Sequence, residues 1–249
     1  MLKVQTALIL AGGKGTRFSE YTDTIPKPMI EANGKPLLIH IMNIYISQGV
    51  KKFIVLTGYK SDFIFNYFKN DSKFNFRNNL FESDQGIQIK ILDTGIETQT
   101  GGRIKKAIKH IEEDYFHLTY GDGVANVDIK ELERFHFENE TIATLTAVRP
   151  PARFGSLEIG ENSLVNKFGE KNNSKEGWIN GGFFILNKEI ENFIEADETP
   201  LEKQPLEELA INNQLKAFHH FGYWRPVDTI RELELLEKEM KEQLFNYYE

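Results

Sequence analysis

The chain has 249 residues, a formal net charge of −7 at pH 7 and 40% hydrophobic residues. This is enough for one large α/β domain or two small ones. No segment reaches the run of about 18 apolar residues that a membrane span needs, and the absence of cysteine excludes disulfides, thiolate zinc sites and cysteine nucleophiles. The acidic charge argues against a nucleic-acid binder, and the lack of a signal-like leader predicts a cytoplasmic protein.

The first half alternates strand-like and helix-like segments, the pattern of a parallel sheet flanked by helices. The predicted strands are Thr6–Leu10, Phe53–Thr57, Ile87–Leu92, Tyr115–Thr119 and Thr141–Val148. The predicted helices run from Pro36 to about Gln48, from Asp62 to Phe68, from Gly102 to Ile111, and from a cap at Asp128 to about Asn139. The stretch from Phe63 to Glu82 is rich in Phe and Asn, and the sequence leaves open whether it is an irregular excursion or a contact surface.

After Pro150 and Pro151 the pattern changes to short segments joined by turns rich in Gly, Asn and Lys. We predict antiparallel strands at Phe154–Ile159, Leu164–Phe168 and Trp178–Leu186. Two short helices and a further strand follow, at Glu189–Glu195, Pro205–Asn212 and Leu215–His220. An apolar stripe at helical spacing predicts a C-terminal helix packed on the core, with the members Ile230, Leu233, Leu236, Met240 and Leu244.

The first strand ends in a loop rich in glycine, which reads Gly12-Gly13-Lys14-Gly15-Thr16-Arg17 and is followed by Pro26-Lys27-Pro28. Glycines let backbone N–H groups approach phosphate oxygens, and cations on short tethers neutralise their charge. The loop matches neither the P-loop pattern nor the dinucleotide-binding fingerprint. An ordinary glycine turn is the alternative, but the added cations favour nucleotide chemistry.

Two carboxylates are candidates for binding a metal on a triphosphate. Asp122 stands between two glycines just after an apolar strand, where an ordinary turn is the alternative. Asp228 precedes a Thr and a predicted helix, where a helix N-cap is the alternative. Two carboxylates suit Mg²⁺, which takes its remaining ligands from phosphates and water.

Three of the singled-out clusters follow predicted parallel strands: the glycine loop, residues 93–103 and residues 121–123. Ligands of open parallel sheets bind at the carboxyl ends of the strands, so we expect these clusters to meet. A further pair, Glu170 and Lys171, precedes Asn180 and Gly181. The lysine could bind the phosphate of a second substrate and the glutamate could accept sugar hydroxyls, with a charged hairpin turn as the alternative.

Taken together, these segments resemble the sugar-1-phosphate nucleotidyltransferases, whose hallmark is LAGGxGTR on the first strand followed by PKPM. The matching blocks are LAGGKGTR (10–17), PKPMIEANGKPLL (26–38), LDTGIETQTGGRIKK (92–106), TYGDGVANVDI (119–129), ATLTAVRPPARFGSLEI (143–159), WINGGFFILN (178–187) and PVDTIRE (226–232). The first block specifies only the superfamily, whereas TQTGGR, YGDGVA, PPARFG and INGGFF are similar to its cytidylyl branch.

The resemblance implies an α/β, Rossmann-like fold with a mixed, mostly parallel sheet flanked by helices and a small antiparallel sugar-binding portion in the second half. It implies one domain over 1–249, divided into a nucleotide-binding part (1–148), a sugar-phosphate-binding part (149–229) and a C-terminal helix (230–249). It also implies a homo-oligomer that uses Mg²⁺, CTP and glucose 1-phosphate. Another sugar or polyol phosphate, UTP or dTTP, or an inactive nucleotide-sensing module are the alternatives.

The resemblance further implies a role for each matching residue. The nucleotide-binding residues would be Leu10, Ala11, Gly12, Gly13, Gly15, Thr16, Arg17, Lys27, Thr100, Gly101, Gly102 and Arg103. The catalytic residues would be Arg17, Lys27 and Asp122, and the metal ligands would be Asp122 and Asp228. The residues on the side of the sugar phosphate would be Gly121, Glu170, Lys171, Asn180 and Gly181.

Overall fold

A computed structural model of the chain describes residues 3–18, 23–150, 156–159, 163–169 and 177–245. Within these ranges the α-helices are α1 (Leu37–Ile46), α2 (Ser61–Asn70), α3 (Thr100–Ile108), α4 (Ile129–Asn139), α5 (Gln204–Ile211) and α6 (Ile230–Lys241). The strands are β1 (Thr6–Leu10), β2 (Glu31–Ala32), β3 (Lys35–Pro36), β4 (Lys52–Thr57), β5 (Phe74–Arg77), β6 (Leu80–Ser83), β7 (Gln88–Asp93), β8 (Tyr115–Tyr120), β9 (Gly123–Ala125), β10 (Ala143–Val148), β11 (Ser156–Ile159), β12 (Val165–Gly169), β13 (Ile179–Asn187), β14 (Leu215–His219) and β15 (Trp224–Pro226).

Nine of the described strands form one sheet, in the order β14-β10-β13-β8-β1-β4-β7-β6-β5. Strand β1 pairs in parallel with β4 and β8, and β4 pairs in parallel with β7. The carboxyl ends of these four strands therefore share one edge of the sheet. The prediction of a mixed, mostly parallel sheet flanked by helices is confirmed.

The predicted elements of the first half are all present, with ends that differ by three residues or fewer. Asp128 caps α4 as predicted, because its side chain accepts a hydrogen bond from the Glu131 N–H. In the second half, a 3₁₀ turn at Lys188–Phe193, helix α5 and strand β14 match the predicted short helices and strand.

The three antiparallel strands predicted after Pro151 are present as β11, β12 and β13. Strands β11 and β12 do pair with each other as a separate hairpin. Strand β13 instead lies between β8 and β10 in the main sheet, antiparallel to both. Its run from Phe183 to Leu186 is apolar on both faces and wholly buried, which suits a central strand with covered faces. Consequently the two predicted parts of the chain share one sheet.

The two faces of the sheet carry separate apolar layers. Along β1, Ala7 and Ile9 pack on the side of α1, α4 and α6, whereas Leu8 and Leu10 pack on the side of α3 and α5. This division follows from the alternation of side chains along a strand. All five residues of β1 are buried, so the strand that precedes the glycine loop is covered on both faces.

The Phe-rich stretch is an ordered extension of the sheet rather than an irregular excursion. Helix α2 is followed by the β5–β6 hairpin, which continues the sheet from β7. Phe68 and Phe81 are buried, whereas Phe63 and Phe76 are exposed. A contact role for this stretch, and the homo-oligomer itself, stay predictions.

The predicted C-terminal helix is present as α6, with Leu233 and Leu236 buried against the core. Leu244, the last residue of the predicted stripe, lies beyond the end of α6 and is exposed. Among the described helices, none has the length and apolar character that crossing a bilayer requires. The cytoplasmic location stays a prediction.

Candidate active site

A cavity of about 440 Å³ opens at the edge of the sheet where β1, β4, β7 and β8 end. All three clusters that follow the parallel strands contribute to its wall, as the sequence predicted. The residues that line it are Leu10, Ala11, Gly12, Gly13, Lys14, Gly15, Thr16, Lys27, Pro28, Ile96, Glu97, Thr98, Gln99, Thr100, Arg103, Tyr120, Gly121, Asp122 and Asp228.

Lys27 lies between two carboxylates in this wall. Its ammonium Nζ is 2.7 Å from Asp122 Oδ2 and 2.6 Å from Asp228 Oδ1. Burial lowers the pKa of Lys27, but the charges and hydrogen bonds of the two aspartates outweigh burial and raise its pKa above the ordinary value. The backbone at Lys27 is held in a 3₁₀ turn between Pro26 and Pro28, whose rings fix φ. The lysine is thus a fixed and fully charged group.

A two-stranded ribbon brings the two aspartates together from distant parts of the chain. Strand β9, which follows Asp122, pairs in antiparallel fashion with β15, which precedes Asp228. The Val227 N–H also donates to the Asp122 carbonyl at 2.9 Å. Sequence position alone could not join these carboxylates, because the pairing of β9 with β15 is not local.

Thr229 rather than Asp228 caps α6, and Asp228 lines the cavity. The alternative role for Asp228 was a helix N-cap, but the capping residue is Thr229, whose Oγ1 accepts from the Glu232 N–H. The Glu232 side chain accepts from the Asp228 N–H at 2.8 Å, as in a capping box shifted by one residue. The carboxylate of Asp228 accepts a hydrogen bond from Lys27.

Arg103 is a buried cation behind the glycine loop. Its guanidinium donates to the carbonyls of Thr57 at 2.7 Å, Gly95 at 2.9 Å and Gly12 at 3.0 Å. It also donates to Thr94 Oγ1 at 2.5 Å. These acceptors belong to the ends of β1, β4 and β7, so Arg103 fixes the loops that form the cavity wall. Burial lowers its pKa, and Asp93 partly offsets this effect.

The Arg103 guanidinium leaves no room for a side chain at two glycine positions. A Cβ added to Gly12 would lie 2.2 Å from Arg103 Nη1, and one added to Gly58 would lie 2.6 Å from the same atom. The guanidinium cannot move away without losing its carbonyl partners. Gly13 differs, because a Cβ there would meet nothing within 4 Å. Gly13 thus faces open space in the cavity.

Gly101 and Gly102 are not among the residues that line the cavity, and their nucleotide-binding role stays a prediction. A Cβ on Gly101 would lie 2.6 Å from the Thr199 carbonyl oxygen, and one on Gly102 would lie 2.4 Å from the Asp197 carbonyl oxygen. Both glycines allow the first turn of α3 to pack closely on the 197–199 backbone. Their neighbour Thr100 does line the cavity.

Asn180 and Gly181, which the resemblance assigns to the sugar-phosphate side, are not among the residues that line this cavity, and Asn180 is half-buried next to its wall. Asn180 Nδ2 donates to the Tyr120 hydroxyl at 3.2 Å. A Cβ on Gly181 would lie 2.6 Å from Val148 Cγ1, so this glycine serves the pairing of β13 with β10. Gly121 does line the cavity, and its N–H donates to the Leu10 carbonyl at 2.9 Å.

Three predicted site residues are described only in part or not at all. Arg17 lies in the 3₁₀ turn Thr16–Phe18, but its side chain is outside the described part of the structure. Glu170 and Lys171 both lie outside the described residues. Their roles stay predictions.

Several lining residues were given no individual role in the sequence analysis, although some lie within the predicted clusters. They are Lys14, Pro28, Ile96, Glu97, Thr98, Gln99 and Tyr120. Most are neighbours of predicted residues within the same motif blocks, which is the signal that could have found them. Tyr120, for example, directly precedes Gly121 and Asp122.

The described cavity wall is balanced in charge. Its three basic residues, Lys14, Lys27 and Arg103, face three acidic ones, Glu97, Asp122 and Asp228. A triphosphate would therefore need a further counter-charge. Within the described residues, no cluster of three or more His, Cys, Asp or Glu could hold a metal by itself. The two aspartates converge on one point, and such a pair of oxygen donors fits Mg²⁺ whose other ligands are phosphates and water.

Comparisons with known proteins identify the family. The family model of the nucleotidyl transferases matches residues 6–235. A glucose-1-phosphate cytidylyltransferase of Salmonella typhi is 44% identical over 242 residues, which are 93% of this chain and 94% of that protein. A probable glucose-1-phosphate cytidylyltransferase of Bacillus subtilis is 40% identical over 238 residues, 91% of this chain and 92% of that protein.

Among solved structures, HddC from Yersinia pseudotuberculosis complexed with GMP-PN is similar with a TM-score of 0.73 and 28% identity. The similarity covers 95% of this chain and 100% of that one. The family predicted from the motif blocks is thereby confirmed. The chain belongs to the sugar-1-phosphate nucleotidyltransferases.

Proposed function

We propose that the protein transfers the cytidylyl group of CTP to glucose 1-phosphate, which gives CDP-glucose and pyrophosphate. The observation that carries this proposal is the ammonium of Lys27 held between Asp122 and Asp228 beside a glycine loop. The choice of CTP and glucose 1-phosphate is supported by the two relatives that bear this activity in their names.

In the proposed reaction, a phosphate oxygen of glucose 1-phosphate forms a bond to the α-phosphorus of CTP. The bond from that phosphorus to the oxygen bridging the β-phosphate breaks, and pyrophosphate leaves with the electron pair. The attacking oxygen is already an anion, so no side chain has to remove a proton. The protein's task is to align two anions and to neutralise the charge on the transferring group.

The glycine loop would bind the phosphates of CTP through its backbone N–H groups, since Gly13 leaves open space there. Lys27 would donate to an oxygen of the α-phosphate, and its rigid turn would keep it in place. Arg103 would act indirectly, because its hydrogen bond to the Gly12 carbonyl holds the glycine loop in place. Arg17 would bind a phosphate, as the motif predicts.

We further propose that Asp122 and Asp228 hold Mg²⁺. When bound, this ion would add positive charge to a cavity wall whose described acidic and basic residues balance. Glu170, Lys171 and Asn180 would bind the sugar phosphate from the 149–229 part, while the 1–148 part binds the nucleotide.

The test is pyrophosphate release from CTP, UTP, dTTP, ATP and GTP in turn, each with glucose 1-phosphate and Mg²⁺. Release with CTP alone would support the proposal. Release with another nucleotide would support the alternative of a different base on the same fold. If every nucleotide fails, a screen of other sugar and polyol phosphates with CTP tests the alternative of another sugar.

A matched pair of variants tests the remaining alternative, an inactive nucleotide-sensing module. Asp122→Asn removes one of the paired carboxylates, whereas Asp62→Asn changes an exposed aspartate on α2. We expect the first to abolish pyrophosphate release and the second to leave it intact. A sensing module would bind CTP with both variants and release pyrophosphate with neither.

A further inference from the structure

Glu202 is an exposed residue beside the cavity that no motif singled out. It lies in the turn between the Thr199–Pro200 segment and α5, a hundred residues away from the cavity motif that it contacts. Its Oε1 accepts from the Tyr120 hydroxyl at 2.7 Å, and its Oε2 accepts from Thr100 Oγ1 at 2.6 Å. Both of these partners line the cavity. The Glu202 carboxylate thus links Tyr120 and Thr100, which lie on two sides of the cavity wall.

Tyr120 also contacts β13, through Asn180 and Gly182. Asn180 Nδ2 donates to the Tyr120 hydroxyl at 3.2 Å, and Asn180 Oδ1 accepts from the Gly182 N–H at 2.9 Å. The ring of Tyr120 packs on Gly182 so closely that a Cβ there would lie 2.6 Å from ring atom Cδ2. Gly182 also has a φ of +83°, which favours glycine. The start of β13 is therefore shaped around Tyr120.

The direction of each hydrogen bond is fixed by chemistry. The Glu202 carboxylate only accepts, so the Tyr120 hydroxyl must donate to it, and this leaves a lone pair of that hydroxyl for Asn180. Burial and the neighbouring Glu202 both raise the pKa of Tyr120, which keeps its proton available. Hydrogen bonds to an ionised acceptor are stronger than neutral ones. Glu202 consequently orients the amide of Asn180 through one intermediate side chain.

Thr100 depends on Glu202 less than Tyr120 does. Its Oγ1 also accepts from the Leu201 N–H at 2.8 Å, so it keeps a partner if the carboxylate is removed. Two hydrogen bonds thus hold Thr100, which lies on the predicted nucleotide side of the wall. We therefore expect removal of Glu202 to disturb the positions of Tyr120 and Asn180 more than that of Thr100.

We propose that Glu202 is a positioning residue for the sugar phosphate, which acts through the Tyr120 hydroxyl on Asn180. This inference rests on the proposed function, in which Asn180 lies on the side of the sugar phosphate. Glu202 itself touches neither substrate. Its contribution is to hold Asn180 in the orientation that the second substrate meets.

The experiment measures kcat and the KM of each substrate for Glu202→Ala, Glu202→Gln and Tyr120→Phe. Glu198→Ala is the matched control, because Glu198 is an exposed glutamate in the same segment. We expect Glu202→Ala to raise the KM for glucose 1-phosphate by about tenfold, the loss of one charge-assisted hydrogen bond, with the KM for CTP within about twofold. Glu202→Gln keeps an acceptor for Tyr120 and should recover most of this loss.

A double variant distinguishes positioning from a purely structural role. If Glu202 acts through the hydroxyl, Glu202→Ala combined with Tyr120→Phe should be no worse than Tyr120→Phe alone. Multiplying effects, or a lower Tm with an unchanged KM for glucose 1-phosphate, would overturn the inference while the proposed function stands. If the unmodified protein released no pyrophosphate from any pair tested, the proposed function would fail and this inference with it.

Discussion

Lys27 and Arg103 are two buried cations in the wall of one cavity, and the sequence predicted that both would contact the nucleotide. Both residues are buried, with exposed fractions of 8% for Lys27 and 4% for Arg103. Lys27 is paired with two carboxylates, whereas Arg103 is surrounded by neutral carbonyl and hydroxyl oxygens. The two residues have the same predicted role but differ in the charge of their hydrogen-bond partners.

The two cations also differ in whether another group could replace them beside their oxygen partners. In the proposed function the carboxylates around Lys27 would hold Mg²⁺, which would leave the ammonium to a phosphate. The carbonyls around Arg103 have no comparable alternative donor, so releasing its guanidinium would leave several buried acceptors unsatisfied. We infer that Lys27 serves the chemistry and Arg103 the architecture. The following changes test this division.

Replacing Arg103 should give the largest effect, and the effect should fall on stability. Arg103→Met keeps an unbranched side chain but removes every donor to Gly12, Thr57 and Gly95. We expect the free energy of unfolding to fall by about 3–5 kcal/mol, because several buried acceptors lose their partners together. Urea denaturation followed by circular dichroism measures this loss. An unchanged midpoint would contradict the architectural role.

Replacing Lys27 should affect turnover more than stability. For Lys27→Ala we expect kcat to fall by about 10²–10³-fold, the usual loss of one preorganised group that stabilises developing charge. Lys52→Ala is the control, since Lys52 is a partly exposed lysine at the start of β4, the opposite end from the cavity. Equal fractional losses in turnover and in the free energy of unfolding would contradict a catalytic role for Lys27.

Two neighbouring glycines offer a smaller and sharper contrast. Gly12→Ala forces a methyl group against a guanidinium that cannot move, so we expect a loss of about 1–3 kcal/mol in the free energy of unfolding. Gly13→Ala meets open space, and its free energy of unfolding should stay within about 0.5 kcal/mol of the unmodified protein. Thermal unfolding of both variants side by side provides the measurement. Equal losses would mean that Arg103 does not restrict position 12.

The smallest effect concerns the carboxylates that Lys27 leaves behind. In Lys27→Ala, Asp122 and Asp228 lose their shared cation. Mg²⁺ should bind there more tightly than in the unmodified protein and stabilise the variant by about 1 kcal/mol more, as expected for a ligand that binds only the folded state. Melting curves with and without millimolar Mg²⁺ check this, with Ca²⁺ as a second ion. The same shift in both proteins would argue against a metal at this pair.

The sequence was sufficient for the elements whose signals are local. The apolar run of β1, the cap at Asp128 and the alternation of strands and helices predicted the first half within a few residues. The rule that ligands bind at the carboxyl ends of parallel strands also brought three separate motifs to one cavity. Each of these inferences needs only neighbouring residues or a general property of sheets.

Features that depend on distant pairing were not predictable in the same way. Strand β13 is antiparallel as predicted, but its pattern does not reveal that β8 and β10 flank it in the main sheet. The first turn of α3 presents Arg103 to the loops and Gly102 to the 197–199 backbone, and the motif TGGR does not say which face each takes. The contact of Glu202 with Tyr120 spans 82 positions and has no local signal.

The wide separation of Lys27 from its second aspartate also matters while the protein is being made. Lys27 and Asp228 are 201 positions apart in the chain. A polypeptide that emerges from the ribosome therefore carries the glycine loop and the lysine long before it carries the second carboxylate. Nascent chains and products of premature termination before Asp228 would lack half of the proposed metal site. Such incomplete chains should consume no CTP, whatever the state of their first strands.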